Sequence, residues 1–273
     1  MARGGVEYVI PGLRQAIVAM RNVAWWSEVT REAGSSQAEA APVTVPPAAQ
    51  RHGQWSEDAA RRLLAGAGLP VVPARLVTTA QDAAKAAAEF GGPVCLKIVS
   101  PQILHKTDIG GVLLDVPAAE DSVKSAFEAV TAAASKVDGA TVEGVLVSPM
   151  RRGGTELLVG VVRDPHWGPM LAVALGGLFV EVLKDSALAP LPVSPAQARE
   201  LLDRLRGRAV LDGVRGAPPA DLDALAAVIA AVGDLALALG DDLESLEINP
   251  LRVDGTTIEA LDAVVTWARK DSH

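Results

Sequence analysis

Val94-Cys95-Leu96-Lys97-Ile98-Val99 is an apolar run of strand length broken by one lysine. Burying an ammonium is costly unless an anion meets it, which makes Lys97 a candidate phosphate ligand in a nucleotide site. A lysine on an edge strand, reaching out to water along its methylenes, leaves the same pattern. The next turn, 101–111, adds His105, Lys106 and the pair Gly110-Gly111. Glycines there would let backbone N–H groups approach an anion closely, although the spacing is not that of the Gly-x-x-x-x-Gly-Lys-Ser/Thr phosphate loop.

A second constellation is Glu247-Ile248-Asn249-Pro250-Leu251, with Asp262 thirteen positions after Asn249. On a strand Glu247 and Asn249 share a face, and a returning strand would bring Asp262 beside them. Hard oxygen ligands of this kind suit Mg²⁺, which keeps much of its water and takes one or two protein oxygens together with phosphate oxygens. A solvated sheet face or a turn entry produces the same acid-x-Asn spacing. His52, His166 and His273 have no such company and read as solvent-facing or structural residues.

Placing these groups requires alternating helices and strands. Ser56 stands where it would cap a helix over 57–65, stopped by Gly66 and Gly68. Thr79 to Asp82 resembles a capping box, with Asp in the usual Glu/Gln place, and the helix it opens ends at Gly91-Gly92-Pro93. Strand 94–99, the loop 100–111, strand 112–116 and a helix over 120–136 follow. Four strands, 142–147, 156–162, 170–175 and 179–183, suggest an antiparallel sheet. Helices over 195–205 and 221–239 come next, the first with Ser194 at the N-cap, Pro195 at N1 and Gln197 at N3. Strands 245–248 and 256–261 complete an α+β chain with a mixed sheet and no internal repeat.

Ahead of this part, 12–27 has helical apolar spacing. Its apolar side, with Trp25 and Trp26, needs a covering surface, which favours an oligomer. The stretch 33–50, rich in Ala, Pro, Ser and Gln, reads as a linker. The expected division is an appendage over 1–30, a linker over 31–54 and a main domain over 55–270, with a smaller lobe near 75–147.

Bulk properties narrow the function. At 273 residues, 49% hydrophobic and 21% charged, the chain has the composition of a folded protein. A net charge of -8 without a Lys/Arg run argues against general nucleic-acid binding. The longest apolar stretch with glycines counted, 170–180, is shorter than the roughly 20 residues a membrane span needs. A single cysteine, Cys95, permits no internal disulfide and points to a reducing cytoplasm.

The segments 95–101 and 103–112 resemble the ATP-grasp region of ADP-forming (NDP-forming) acyl-CoA synthetases. So do Gly153-Gly154-Thr155-Glu156-Leu157-Leu158-Val159-Gly160, Arg163-Asp164-Pro165, the block 175–182 and Glu247-Ile248-Asn249-Pro250-Leu251. Succinyl-CoA synthetase β subunits are more distant relatives. The resemblance implies an ATP-grasp fold whose two lobes clamp ATP. In it Lys97 would bind the phosphates, with Lys106, Gly110 and Gly111 nearby, Asn249 and Asp262 would hold Mg²⁺, and Glu247 would stand close by. Strand 145–147 would lead into the hinge that receives adenine, placing Val147, Ser148, Met150 and Glu156 among the nucleotide contacts. Relatives often carry a glutamate just after this strand, where Ser148-Pro149 stands here. Arg163 would be a phosphate-facing cation and Glu181 a cleft carboxylate.

The family moves phosphate through phosphohistidine, which makes His105 a candidate relay; a histidine that only hydrogen-bonds the loop or a phosphate fits equally. The family reaction joins a carboxylic acid to coenzyme A at the expense of ATP, giving ADP and phosphate. The CoA-binding domain and the domain with the main phospho-acceptor histidine have no counterpart in this sequence, so the resemblance implies an α-type partner. Residues 8–16 are similar to the end of the preceding ligase domain in fused relatives. Two rivals are an ATP-grasp ligase with an amine or bicarbonate acceptor, and a non-catalytic nucleotide-binding subunit.

Overall fold

Local punctuation cuts the chain into its elements. In the computed structural model, which describes residues 12–35, 44–103, 105–176, 185–214 and 216–268, the chain forms two units, Met1–Ala40 and Ala41–His273. The described part of the first is helix α1 (Leu13–Ser35), longer than the stretch whose spacing predicts it. The side chains of Trp25 and Trp26, residues 8–11 of the stretch 8–16, and all of 177–184, with Glu181 and the strand expected over 179–183, lie outside the described residues.

The second unit holds two sheets. The smaller has the order β1 (Arg75–Val77), β4 (Gly144–Pro149), β2 (Val94–Val99), β3 (Val112–Val116), with every neighbour antiparallel. Helices α3 (Ala80–Phe90) and α4 (Glu120–Ala134) cover one of its faces. Thr79 Oγ1 accepts the Asp82 N–H at 3.1 Å, and Gly91, at φ 70, ends α3 in the left-handed conformation. Because side chains alternate along a strand, Val94, Leu96 and Ile98 pack with Ala83, Ala87, Val123 and Val130, while Cys95 and Lys97 point away from these helices. Burial pushes the Cys95 thiol up to about 11.

The larger sheet runs β10 (Ala263–Trp267), β8 (Leu243–Asp254), β5 (Thr155–Asp164), β6 (Gly168–Leu175), β7 (Ser186–Pro190), with β9 (Thr257–Ala260) also on β8. Among the described residues its strand pairs are antiparallel too, where a mixed sheet is expected from sequence; an isolated bridge, Val71 to Ala260, supplies a parallel contact. Leu157, Val159 and Val161 of β5 and Leu171 and Val173 of β6 form a core with α5 (Pro195–Asp203) and α6 (Leu222–Leu239). The Ser194–Gln197 capping box expected for α5 is complete.

Helix α6 is long and apolar enough to cross a membrane, but Leu225, Ile229, Val232, Leu235 and Leu239 are buried in this core. It is the central helix of the larger sheet. On the sheet's other face Gly160 stands opposite both Ala172 and Glu247, which leaves small side chains beside the carboxylate.

The link between the sheets, 150–154, is held at both ends. Arg151 donates to both carboxylate oxygens of Glu259 at 2.7 and 2.8 Å. Arg252, 7% exposed, donates to Gly153 O at 2.8 Å and Arg152 O at 3.0 Å. Gly154 has φ 82, and a Cβ there would lie 2.8 Å from Val253 O, so the crossing needs a glycine.

Candidate active site

Helix α2 (Glu57–Gly66) packs against β10 of the larger sheet. Ser56 takes the N-cap position but makes no side-chain cap bond, and the acids Glu57 and Asp58 fill the first turn instead. Glu57 does more than complement a helix dipole. Its side chain is 1% exposed and its oxygens take two lysines, Oε1 from Lys97 at 3.1 Å and Oε2 from Lys106 at 2.6 Å. Arg61, one turn on, is also buried and donates to Leu261 O at 3.2 Å and to Val72 O. Burial lowers its pKa, opposed by Glu57 and Asp262.

Lys97 is fully engaged. Its Nζ donates to Glu57, to Leu261 O at 3.1 Å and to Asp262 Oδ2 at 2.8 Å. Burial pushes the ammonium down, yet Glu57 and Asp262 outweigh it and raise its pKa above the ordinary lysine value. The edge-strand reading therefore fails: β2 lies between β4 and β3, and Lys97 points into a set of anions rather than to water.

The antiparallel return of β10 brings Asp262 beside Asn249, whose N–H donates to Asp262 O at 3.2 Å. Asn249 Nδ2 donates to Glu247 Oε1 at 3.1 Å, which puts both side chains on one face and leaves Oδ1 as the amide's ligand atom. Asp262 Oδ1 is buried and has no hydrogen-bond partner. An uncompensated buried carboxylate oxygen on a residue whose backbone pairs with Asn249 fits a hard divalent cation such as Mg²⁺, with phosphate oxygens and water completing the shell.

Lys97, His105, Lys106, Thr107, Asp108, Val112 and Asp262 line one cleft of about 400 Å³. His105 is exposed at its mouth. Gly110 and Gly111 shape the turn but do not offer their N–H groups to an anion, because these donate to Thr107 O at 3.1 Å and Lys106 O at 2.7 Å. A Cβ on Gly111 would come 2.7 Å from Ile98 Cγ2, so this glycine lets the loop lie against β2. A larger hollow of about 780 Å³ beside Trp55, Leu63 and Pro101 contains neither lysine nor Asp262.

Three expected contacts fall elsewhere. Arg163 sits on the helix side of β5, in step with Val159 and Val161, and donates to Leu243 O at 3.2 Å and Gly240 O at 3.0 Å; it holds the end of α6 rather than facing phosphate. The Met150 N–H is taken by Pro93 O at 2.8 Å and is not free for an adenine. Glu156 is exposed at the start of β5, its carbonyl bound by Gly176 N at 2.6 Å. Val147 and Ser148 are buried and paired in register with Leu96 and Cys95. Sequence reasoning missed Glu57, whose only signal is the Ser-Glu-Asp start of a helix.

The model of the ATP-grasp domain family matches residues 48–266. The β subunit of ADP-forming acetate–CoA ligase I from Pyrococcus furiosus is 35% identical over 207 residues, covering 76% of this chain and 89% of that one. This chain belongs to the ATP-grasp family of ADP-forming acyl-CoA ligases. The ATP-grasp chain is also 39% identical over 186 residues to acetate–CoA ligase [ADP-forming] I of Archaeoglobus fulgidus, covering 68% of its own length but 27% of that longer protein.

Among solved structures, the ATP-grasp chain matches an acetyl-coenzyme A synthetase of Ca. Korarchaeum cryptofilum in complex with coenzyme A, Ca-AMPCP and HgCl+. The TM-score is 0.75 at 30% identity, over 79% of this chain and 94% of that one. The two-sheet α+β architecture described above is thus the ATP-grasp fold.

Proposed function

We propose that this chain is the nucleotide-binding component of an ADP-forming acid–CoA ligase and that His105 carries the phosphoryl group from ATP towards a CoA-binding α-type partner. The observation that carries this reading is the gathering around one cleft of Lys97, His105 and Lys106, from β2 and the loop after it, with Asp262 from the far end of the chain. It is supported by the family match and by the β subunit from Pyrococcus furiosus, whose name states ADP-forming acetate–CoA ligation.

Phosphoryl transfer asks a protein mainly for positioning and charge neutralisation. Lys106, which donates to Glu57 alone, keeps N–H groups for a phosphate oxygen, while Lys97, whose three N–H groups are taken, would contribute its positive charge. A ring nitrogen of neutral His105 supplies the lone pair that forms the P–N bond as the bond from γ-phosphorus to the β,γ-bridging oxygen breaks, and ADP leaves with that electron pair. Asn249 and Asp262 would hold Mg²⁺, with Glu247 orienting the Asn249 amide; the bound cation neutralises phosphate charge. The exposed position of His105 suits onward transfer to another domain. A lone buried thiol, Cys95, accords with a reducing cytoplasm.

Partner dependence tests the reading. The purified chain with Mg²⁺, ATP, acetate and coenzyme A is expected to form no acyl-CoA, and to do so once an α-type subunit is added, followed by chromatography of the thioester. Acyl-CoA made by the chain alone would refute the need for a partner. ADP formation only with an amine or bicarbonate acceptor would move the chain to another ATP-grasp reaction.

A further inference from the structure

Asp262 is asked to do two things at once. Its Oδ2 sits 2.8 Å from Lys97 and 3.7 Å from Lys106, while Oδ1 is the buried oxygen left without a partner. Two ammonium groups, 14% and 13% exposed, would draw any nearby carboxylate fully onto themselves, because buried charge is costly unless paired. A carboxylate so consumed is a poor metal ligand. Glu57 changes this balance by giving one oxygen to each lysine.

We propose that Glu57 is a positioning residue that serves as the dedicated counter-ion of Lys97 and Lys106, so that Asp262 keeps Oδ1 available for a divalent cation. The inference rests on the nucleotide-site reading above. The geometry is specific to this role. A glutamate needed only to complement the first turn of α2 would lie in solvent, as first-turn acids usually do, whereas this one is 1% exposed and reaches residues 40 and 49 positions away in sequence. Its reach also ties α2 to β2 and to the loop bearing His105. In Glu57→Gln the amide can accept from one lysine but turns an N–H₂ towards the other, and Asp262 becomes the only carboxylate close to both.

Calorimetric binding of β,γ-methylene ATP to the full chain at a series of Mg²⁺ concentrations tests this without turnover. The expected result is a half-saturating Mg²⁺ about tenfold higher in Glu57→Gln, the scale of one lost charge-assisted contact, with nucleotide binding in the absence of metal unchanged or tighter. Glu57→Asp, which keeps the charge but reaches only one lysine, is expected to fall between. A general loss of structure would lower the fraction of binding-competent protein and leave the Mg²⁺ midpoint alone.

Wild-type midpoints in both variants would overturn the assignment while leaving the nucleotide reading intact. Absence of any binding by the wild-type chain would defeat that reading and this inference together. If Glu57→Gln does not fold, Glu57→Asp decides: a raised midpoint supports the role of Glu57 and an unchanged one removes it.

Discussion

Lys97→Ala is expected to lower ATP-dependent phosphoryl transfer by about a hundredfold to a thousandfold, the range for loss of one fixed group that stabilises a developing charge, and to destabilise the fold by about 3 kcal/mol. Stability falls because two carboxylates, Glu57 at 1% and Asp262 at 23% exposure, lose a shared cation. Breaking a buried ion pair from one side costs roughly 3–5 kcal/mol, and the lower figure applies because Lys106 still meets Glu57. Transfer falls because the fixed positive charge beside the cleft is lost, and with it the anchor that holds Glu57 and Asp262 in place, since all three N–H groups of Lys97 are taken by Glu57, Leu261 O and Asp262. Urea unfolding and label transfer from γ-labelled ATP measure the two effects separately. A variant with wild-type transfer would show that Lys97 is only a structural ion-pair partner.

Asp262→Asn is expected to lower turnover by about a hundredfold to a thousandfold at a fixed Mg²⁺ concentration, with part of the loss recovered as the metal is raised. The substitution keeps the shape of the side chain. It removes the negative charge that faces Lys97 and turns the buried, unpartnered carboxylate oxygen into part of a neutral amide. Because Lys97 keeps Glu57 and Leu261 O, the stability cost should be smaller than for Lys97→Ala, about 1–2 kcal/mol. Metal-dependent turnover assays distinguish this from a purely structural effect, in which Mg²⁺ would recover nothing.

The residues of the cleft were legible in the sequence to the extent that each broke a local rule. Lys97 breaks an apolar strand, and the loop after it concentrates His105, Lys106 and two glycines within one turn. Asp262 was legible through geometry: if Glu247 and Asn249 lie on a strand, an antiparallel return must bring back a neighbour, and it does so at Asp262. The strand that makes the return was placed at 256–261, whereas two strands share the task, β9 and β10, with the Ala263–Trp267 segment pairing along β8.

Glu57 was not legible because nothing local is unusual about an acid in the first turn of a helix; only tertiary packing shows that it is buried against two lysines. Arg163 was misplaced for the opposite reason. The family resemblance makes it a phosphate-facing cation, but strand alternation puts it on the face with Val159 and Val161, where helix-end carbonyls satisfy it. The glycine pair stands out in the sequence, where it is expected to bring backbone N–H groups to an anion. Its N–H groups close the turn, and what the turn presents is His105 and Lys106.

The central claim is that the γ-phosphoryl of ATP bound in this cleft passes to His105. The most direct measurement is incubation of the full chain with Mg²⁺ and γ-labelled ATP, followed by quantification of acid-labile protein-bound phosphate in wild type and His105→Ala. The account predicts label in the wild type and none in His105→Ala, whose exposed side chain should change stability by less than about 0.5 kcal/mol. Equal labelling of the two proteins, or none in a wild type that demonstrably binds the nucleotide, would contradict it.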